Sequence, residues 1–280
     1  MSNKKTLDLS IIIPFKNHAE LTIACLNSII EYADPIKEIL LISNNSSDEE
    51  LEKISTVAKN YPNAKVLVYN HPFNFQSINN WAVKQSTGTA LLLLNNDVEL
   101  VMQSRTLIQA MFKKALEPTV GAVGAVLLYE DAKTIQHAGV YLVPGGTADH
   151  LYIGMDLDKV KGRISSGEYI YDITHNLRVS AVTAAAVMVS REKFDSITGF
   201  NEDFIICGGD VDLCLRLEET NKQCVLIGSD QGYMIHKESR SRSSIGIPYT
   251  DFIESYKSYI NHFNTVDGDV YLHSRKVPHE

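Results

Sequence analysis

Two carboxylates follow a run of four leucines. The stretch reads Leu91-Leu92-Leu93-Leu94-Asn95-Asn96-Asp97-Val98-Glu99, and acids at the mouth of an apolar segment are natural ligands for a hard divalent cation, which can in turn hold a diphosphate. The same Asn/Asp cluster also suits an ordinary turn, because these residues hydrogen-bond their own backbone. A second acidic pair, Asp210 and Asp212, follows Cys207-Gly208-Gly209. Acids in the first turn of a helix complement its dipole, so this pair has a purely structural explanation as well. His236 closes a short apolar run at Tyr233–Ile235.

The surrounding pattern says what must position these groups. Uninterrupted leucines read as a strand buried on both faces, as in the middle of a sheet covered by helices. Upstream, strands over Leu9–Pro14, Glu38–Ile42, Lys65–Tyr69 and Thr89–Leu94 alternate with helical patterns. Asn17, with Glu20 three residues later, is expected to cap the first helix. Its apolar face is expected to comprise Leu21, Ala24, Cys25, Ile29 and Tyr32. Serines of the Ser43–Asp48 loop are expected to cap the second helix, which buries Leu51, Ile54 and Ala58. A third helix is expected near Ser77–Gln85, with Trp81 in the core. Such alternation implies a mostly parallel sheet, with the polar strand ends at Ser43–Asp48 and Asn95–Glu99 on one edge.

After a helix near Met102–Leu116 the pattern becomes strand-rich. Val120–Tyr129 is apolar, Ile135–Val140 alternates, and glycine-rich Gly145–Gly167 reads as a long loop. The small-residue strand Arg178–Ser190 would permit close approach of another backbone or a ligand. A helix follows from Cys207 to about Asn221, then short strands at Val225–Ile227 and Tyr233–Ile235, and an amphipathic helix near Asp251–Phe263. The chain is expected to be one domain over 1–280, with halves at about 1–118 and 119–280.

Bulk properties narrow the function. The chain has 280 residues, 44% of them hydrophobic, and a net charge of −8 without a basic tract. That is ample for a core and argues against nucleic acid as a partner. The four cysteines lack CxxC spacing and read as reduced thiols. No apolar run is long enough to cross a bilayer, which implies a soluble protein and leaves peripheral membrane contact open. The absence of GxGxxG after a strand and of GxxxxGK[ST] disfavours dinucleotide dehydrogenases and P-loop NTPases. The absence of HExxH and GxSxG disfavours zincins and serine α/β-hydrolases.

Taken in order, SIIIPFKN (10–17), NNSSD (44–48), FNFQSINN (73–80), LLLLNNDVEL (91–100), QHAGV (136–140), SAVTAAAVMV (180–189), GDVDLCLRL (209–217) and HKESRSR (236–242) resemble the family 2 glycosyltransferases. These are inverting enzymes of the GT-A fold, and the similarity is nearest the bacterial O-antigen, capsule and rhamnan type. The resemblance implies an α/β fold: a Rossmann-like, mostly parallel sheet flanked by helices, with a smaller mixed sheet on the acceptor side. It implies transfer of a sugar from a UDP-, dTDP- or GDP-linked donor to a hydroxyl of a surface glycan or lipid-linked precursor. The place of action would be the cytoplasm, with the inner face of the cell membrane as a further option.

Roles carry over by position. Pro14, Phe15 and Asn17 would line the base and ribose pocket. Ser43 stands where many members have an aspartate, with Asn44 or Asn45 as substitutes. Phe75 and Asn79 would sit beneath the nucleotide. Asn95-Asn96-Asp97 occupies the DxD-type position, so Asn96 would face the donor and Asp97 would bind the metal, with Glu99 and His236 as further ligands. Asp210 matches the general base, although Gly209 replaces the acid or amide usual before it. Asp212 is a structural residue or an acceptor contact. His137 and His150 could meet the acceptor or diphosphate, and Arg240 and Arg242 could clamp phosphate. The implied cofactor is Mn²⁺ or Mg²⁺, and a histidine ligand tilts the choice towards Mn²⁺. The departures at Ser43 and Gly209 motivate one alternative, a GT-A-like module that binds nucleotide-sugar or glycan with impaired catalysis.

Overall fold

The computed structural model describes residues 5–143 and 147–237, together with 253, 257, 269, 271 and 272. The chain opens with β1 (Leu7–Phe15), α1 (Ala19–Tyr32), β2 (Ile36–Ser43), α2 (Asp48–Ala58), β3 (Ala64–Val68), α3 (Phe75–Gln85) and β4 (Ala90–Leu94). It continues through β5 (Val98–Leu100), α4 (Leu107–Ala115), β6 (Val120–Leu128), β7 (Ile135–His137), β8 (Val140–Val143), β9 (Thr147–His150) and α5 (Leu157–Ser165). The remaining elements are β10 (Leu177–Val179), β11 (Ala186–Ser190), α6 (Arg191–Ser196), α7 (Gly209–Glu219), β12 (Gln223–Ile227) and β13 (Tyr233–His236).

The strands β3-β2-β1-β4 are parallel neighbours, which confirms the parallel sheet of the first half. The sheet as a whole is mixed. β11 lies antiparallel between β4 and β6, and β12 and β10 extend the far side. A smaller mixed ladder, β7-β6-β13-β5, branches from the upper half of β6, and β8 pairs with β9 as a separate ribbon.

The leucine run shows why two-sided burial produces an unbroken apolar string. Alternate residues of a strand face opposite ways. Leu91 and Leu93 enter one core with Ile12, Leu40 and Val187. Leu92 and Leu94 enter the other with Ile11, Ile13 and Met188. All four are essentially inaccessible, and each buried leucine contributes roughly 1.5–3 kcal/mol. At Gly124 a Cβ would fall 2.7 Å from the Val182 side chain, so the expected close approach along the small-residue stretch is present.

Several local expectations change. Asn17 does not cap α1: Asn17 and His18 both have positive φ, and His18 is the N-cap position without a side-chain bond. Instead the Ala19 N–H donates to Glu50 Oε2 of α2 at 2.6 Å. Asn17 ties two loops together, donating from its N–H to Ser46 Oγ and accepting from the Ser47 N–H, both at 2.9 Å. The buried face of α1 is Ala19, Thr22, Cys25, Leu26, Ser28 and Ile29, rotated so that Leu21 and Ala24 border a cleft. The expected loop at 145–167 contains β9 and α5. The expected strand 178–190 is broken into β10 and β11. The helix expected over 102–116 is a single tight turn, Met102–Ser104, followed by α4. Arg240, Arg242 and most of the helix expected at 251–263 lie outside the described residues, although Ile253 and Lys257 are helical.

Candidate active site

The ends of β1, β2 and β4 bring the sequence-marked residues to one edge. The Asn44 N–H donates to the Phe15 carbonyl, and the Asn95 N–H donates to the Ala185 carbonyl, each at 2.9 Å. Between β4 and β5 the turn is held by Asn96, whose amide donates to Thr22 Oγ1 of α1 at 3.0 Å. This turn presents Asp97. Opposite it, β13 pairs with β5 so that His236 is level with Val98, and the Lys237 N–H donates to the Asp97 carbonyl at 3.0 Å.

The pairing sets Asp97 Oδ1 3.1 Å from His236 Nε2, with both side chains mostly buried. The other ring nitrogen, Nδ1, donates to Gln136 Oε1 at 2.5 Å. A neutral imidazole so held has its lone pair on Nε2, on the side of Asp97. Glu99 departs from the expectation of a ligand: it forms an ion pair with Lys237 at 2.5 Å. A cleft of about 240 Å³ beside Asp97 is lined by Glu20, Leu21, Ala24, Glu130 and Lys237.

These groups suit a hard divalent ion. Two donors at neighbouring corners of an octahedral ion with bonds of about 2.1 Å lie about 3.0 Å apart, close to the Asp97–His236 spacing. Among the described residues no cluster of three or more His, Cys, Asp or Glu side chains is placed to hold a metal. Phosphate oxygens and water would therefore complete the coordination, as is usual for Mg²⁺ and similar ions.

Asp210 stands at the start of α7. Its Oδ2 accepts from the Ala184 N–H at 3.1 Å and its Oδ1 from its neighbour's N–H at 3.0 Å. Ala184 adjoins Ala185, which bonds Asn95, so Asp210 and the Asp97 turn are joined to one short segment at the sheet edge. The approach to α7 is pinned to α3: the Phe75 N–H donates to the Ile205 carbonyl at 2.9 Å and the Asn74 amide to the Glu202 carbonyl at 2.8 Å. Asp212 faces elsewhere. It is 2% exposed and forms an ion pair with Arg216, whose Nε donates to Asp212 Oδ2 at 2.8 Å. The structural alternative for Asp212 is therefore the one its surroundings favour.

The residues expected around the nucleotide divide. Phe15 is only 3% exposed and packs in the core with Ile13 and Leu41, so its side chain does not line a cleft. Pro14 and Phe75 are half-buried and Asn45 is exposed. Asn44 donates to the Tyr69 and His71 carbonyls at 3.2 and 2.9 Å. Asn79 donates to the Phe75 carbonyl at 2.8 Å. The amide oxygens of Asn44, Asn79 and Gln76 are buried with no hydrogen-bond partner among the described residues. An unmet buried acceptor costs about 1–3 kcal/mol, so such atoms suit a ligand's N–H or O–H groups.

His137 and His150 meet each other, Nδ1 to Nδ1, at 3.1 Å. Burial, then the neighbouring His150 and His236, hold His137 well below the usual histidine range. Sequence reasoning missed Gln136, Lys237 and Gln76. Gln136 adjoins His137 within QHAGV, but a pattern reading does not reveal which way its side chain turns.

The profile of the family described as Glycosyl transferase family 2 matches residues 10–151. An O-antigen biosynthesis protein, RfbC of Myxococcus xanthus, is 38% identical over 255 residues, covering 91% of this chain and 19% of the relative. This chain thus spans about a fifth of that relative's length. Among solved structures, GalNAc-T7 with UDP, GalNAc and Mn²⁺ aligns with a TM-score of 0.63 at 14% identity, covering 91% of this chain and 49% of that one. The mannosyltransferase PcManGT of Pyrobaculum calidifontis, in complex with GDP-Man and Mn²⁺, aligns with a TM-score of 0.60 at 15% identity, covering 85% and 59%. At such identities these two show the shared GT-A fold alone. With a matching profile over half its length and a close relative over nearly all of it, the chain belongs to glycosyl transferase family 2.

Proposed function

We propose that this glycosyltransferase catalyses an inverting transfer from a nucleoside-diphosphate sugar to a hydroxyl of a bacterial surface glycan or its lipid-linked precursor. The observation that carries the reading is the joint attachment of the Asp97 turn and Asp210 to the segment Ala184–Ala185. It supports reading Asp97 as a cation ligand and Asp210 as the base of one site. In this reading Asp97 and His236 hold a Mn²⁺ or Mg²⁺ ion, and Glu99 acts indirectly, by fixing Lys237 beside the cleft. Bound there, the ion would supply Lewis-acid neutralisation of charge on the departing diphosphate. Asp210 takes the proton from the acceptor hydroxyl as its oxygen bonds to the anomeric carbon. The anomeric carbon's bond to the diphosphate oxygen breaks, which inverts the configuration.

Pro14, Asn44, Asn45, Phe75 and Asn79 are proposed to bind the nucleotide, with the unmet amide oxygens of Asn44 and Asn79 taking base or ribose donors. UDP-, dTDP- and GDP-linked sugars all remain within this reading. Asn17 and Asn96 contribute by holding their loops. The two halves of the chain act as one domain, because β11 of the second half is a central strand of the first half's sheet. Among the described residues no helix is long and apolar enough to cross a membrane.

The test is a donor-hydrolysis and transfer assay with Asp97→Ala and Asp210→Asn. Loss of about 10²-fold or more in turnover is expected for each, and wild-type turnover in both variants overturns the mechanism. Nucleotide binding without product from any donor would instead support the binding-only alternative.

A further inference from the structure

Gln136 is 6% exposed and sits in the middle of β7. The ladder between β6 and β7 slips by one residue at this point: Leu127 is opposite His137, whereas Leu128 is opposite Ile135. Gln136 is thus the extra residue of a β-bulge, a device that leaves one residue out of the ladder and re-aims its side chain. Its carbonyl, released from the ladder, lies 3.1 Å from His150 Nδ1. Its side-chain oxygen meets His236 Nδ1 at 2.5 Å. β13 flanks β6 on the opposite side from β7 and runs level with the same residues, Leu127 and Leu128, so the bulge brings the two side chains together.

We propose that Gln136 is a positioning residue for the cation site: its amide oxygen fixes the tautomer and ring plane of His236 so that Nε2 is presented beside Asp97. An amide oxygen only accepts, so Nδ1 carries the hydrogen, and in the neutral ring Nε2 is the atom left to coordinate. Such outer partners of a metal-binding histidine typically set affinity by about 10–100-fold. The inference rests on the reading of Asp97 and His236 as the cation pair, and the experiment separates the two.

Free Mn²⁺ is measured by electron paramagnetic resonance in titrations of the whole chain, in the presence of UDP, dTDP or GDP in parallel. Gln136→Met keeps the length of the side chain and removes the acceptor; Gln136→Glu keeps an acceptor. Met is expected to weaken Mn²⁺ binding about 10–100-fold, with transfer activity recovering at high Mn²⁺, while Glu stays within a few-fold of wild type. Wild-type affinity in the Met variant overturns the inference and leaves the cation pair standing. Equal losses in both variants also overturn it, since packing rather than an accepting oxygen would then be at work. A wild-type chain that takes up no Mn²⁺ under any of these conditions removes the cation pair itself and the inference with it.

Discussion

Gln76 and Gly209 share one volume. A Cβ at position 209 would lie 2.4–2.8 Å from the amide atoms of Gln76, and Gln76 is itself 1% exposed. A side chain at the position before Asp210 would therefore require the Gln76 amide of α3 to move, and glycine there leaves that buried amide in place.

Gly209→Asn should overpack this junction and destabilise the chain by about 1–3 kcal/mol. The displacement falls one residue from Asp210, so turnover should drop as well. Gln76→Ala in the same chain should restore part of both. Urea denaturation and donor hydrolysis on the single and double variants check the coupling. Purely additive effects would show that the two positions are independent.

Asp212→Ala should behave as a stability variant. It leaves Arg216 with a lost partner in a largely enclosed site, and breaking a buried ion pair costs about 3–5 kcal/mol. Nucleotide affinity at a temperature where the variant is still folded should match wild type. A selective loss of acceptor saturation, with the denaturation midpoint unchanged, would restore an acceptor role to Asp212.

Glu38 should give the fold an acid-labile clasp. Burial pushes its carboxyl up, but donation from Ser10 and from the Thr87 backbone and hydroxyl, with Lys65 nearby, outweighs burial and leaves it below the ordinary glutamate range. Ser10 Oγ and the Thr87 N–H reach Oε1 at 2.8 and 2.5 Å. A depressed folded-state value means that the contribution is complete above the unfolded value, about 4.3, and is lost as pH falls through the folded one. Glu38→Gln should accordingly be less stable than wild type at pH 6–7, by about 1–3 kcal/mol. The gap should close below about pH 4. A gap that is constant across this range would count against the clasp.

What could be read from the residues alone depended on how local the cause was. The leucine run was legible because burial on both faces leaves its mark within one strand. The Ser47 cap of α2 was legible for the same reason, since its side chain accepts from Glu50 three residues on. The cap of α1 was not, because Glu50 reaches Ala19 from another helix. Helix α5 escaped notice because it buries little, enclosing only Leu157 and Val160. At the site, Asp97 and Asp210 were marked by the elements that end or begin at them. A structural role for Asp212 was legible from its place in the first turn of a helix, and its partner Arg216 stands at the i, i+4 spacing that brings the two together. The Gln136 bulge depends on the register between two strands, which no single segment encodes.

The place of β11 has a consequence for synthesis. β4 is complete at residue 94, yet the strand that covers its second edge begins at residue 186. While the chain emerges from the ribosome, an apolar strand with one unpaired edge must wait for about ninety further residues. Exposed edges of this kind recruit other chains, and late, distant pairing slows folding. A fragment ending near residue 118 would carry the parallel strands β1 to β4 with that edge permanently bare, and should precipitate or require a chaperone where the longer chain does not.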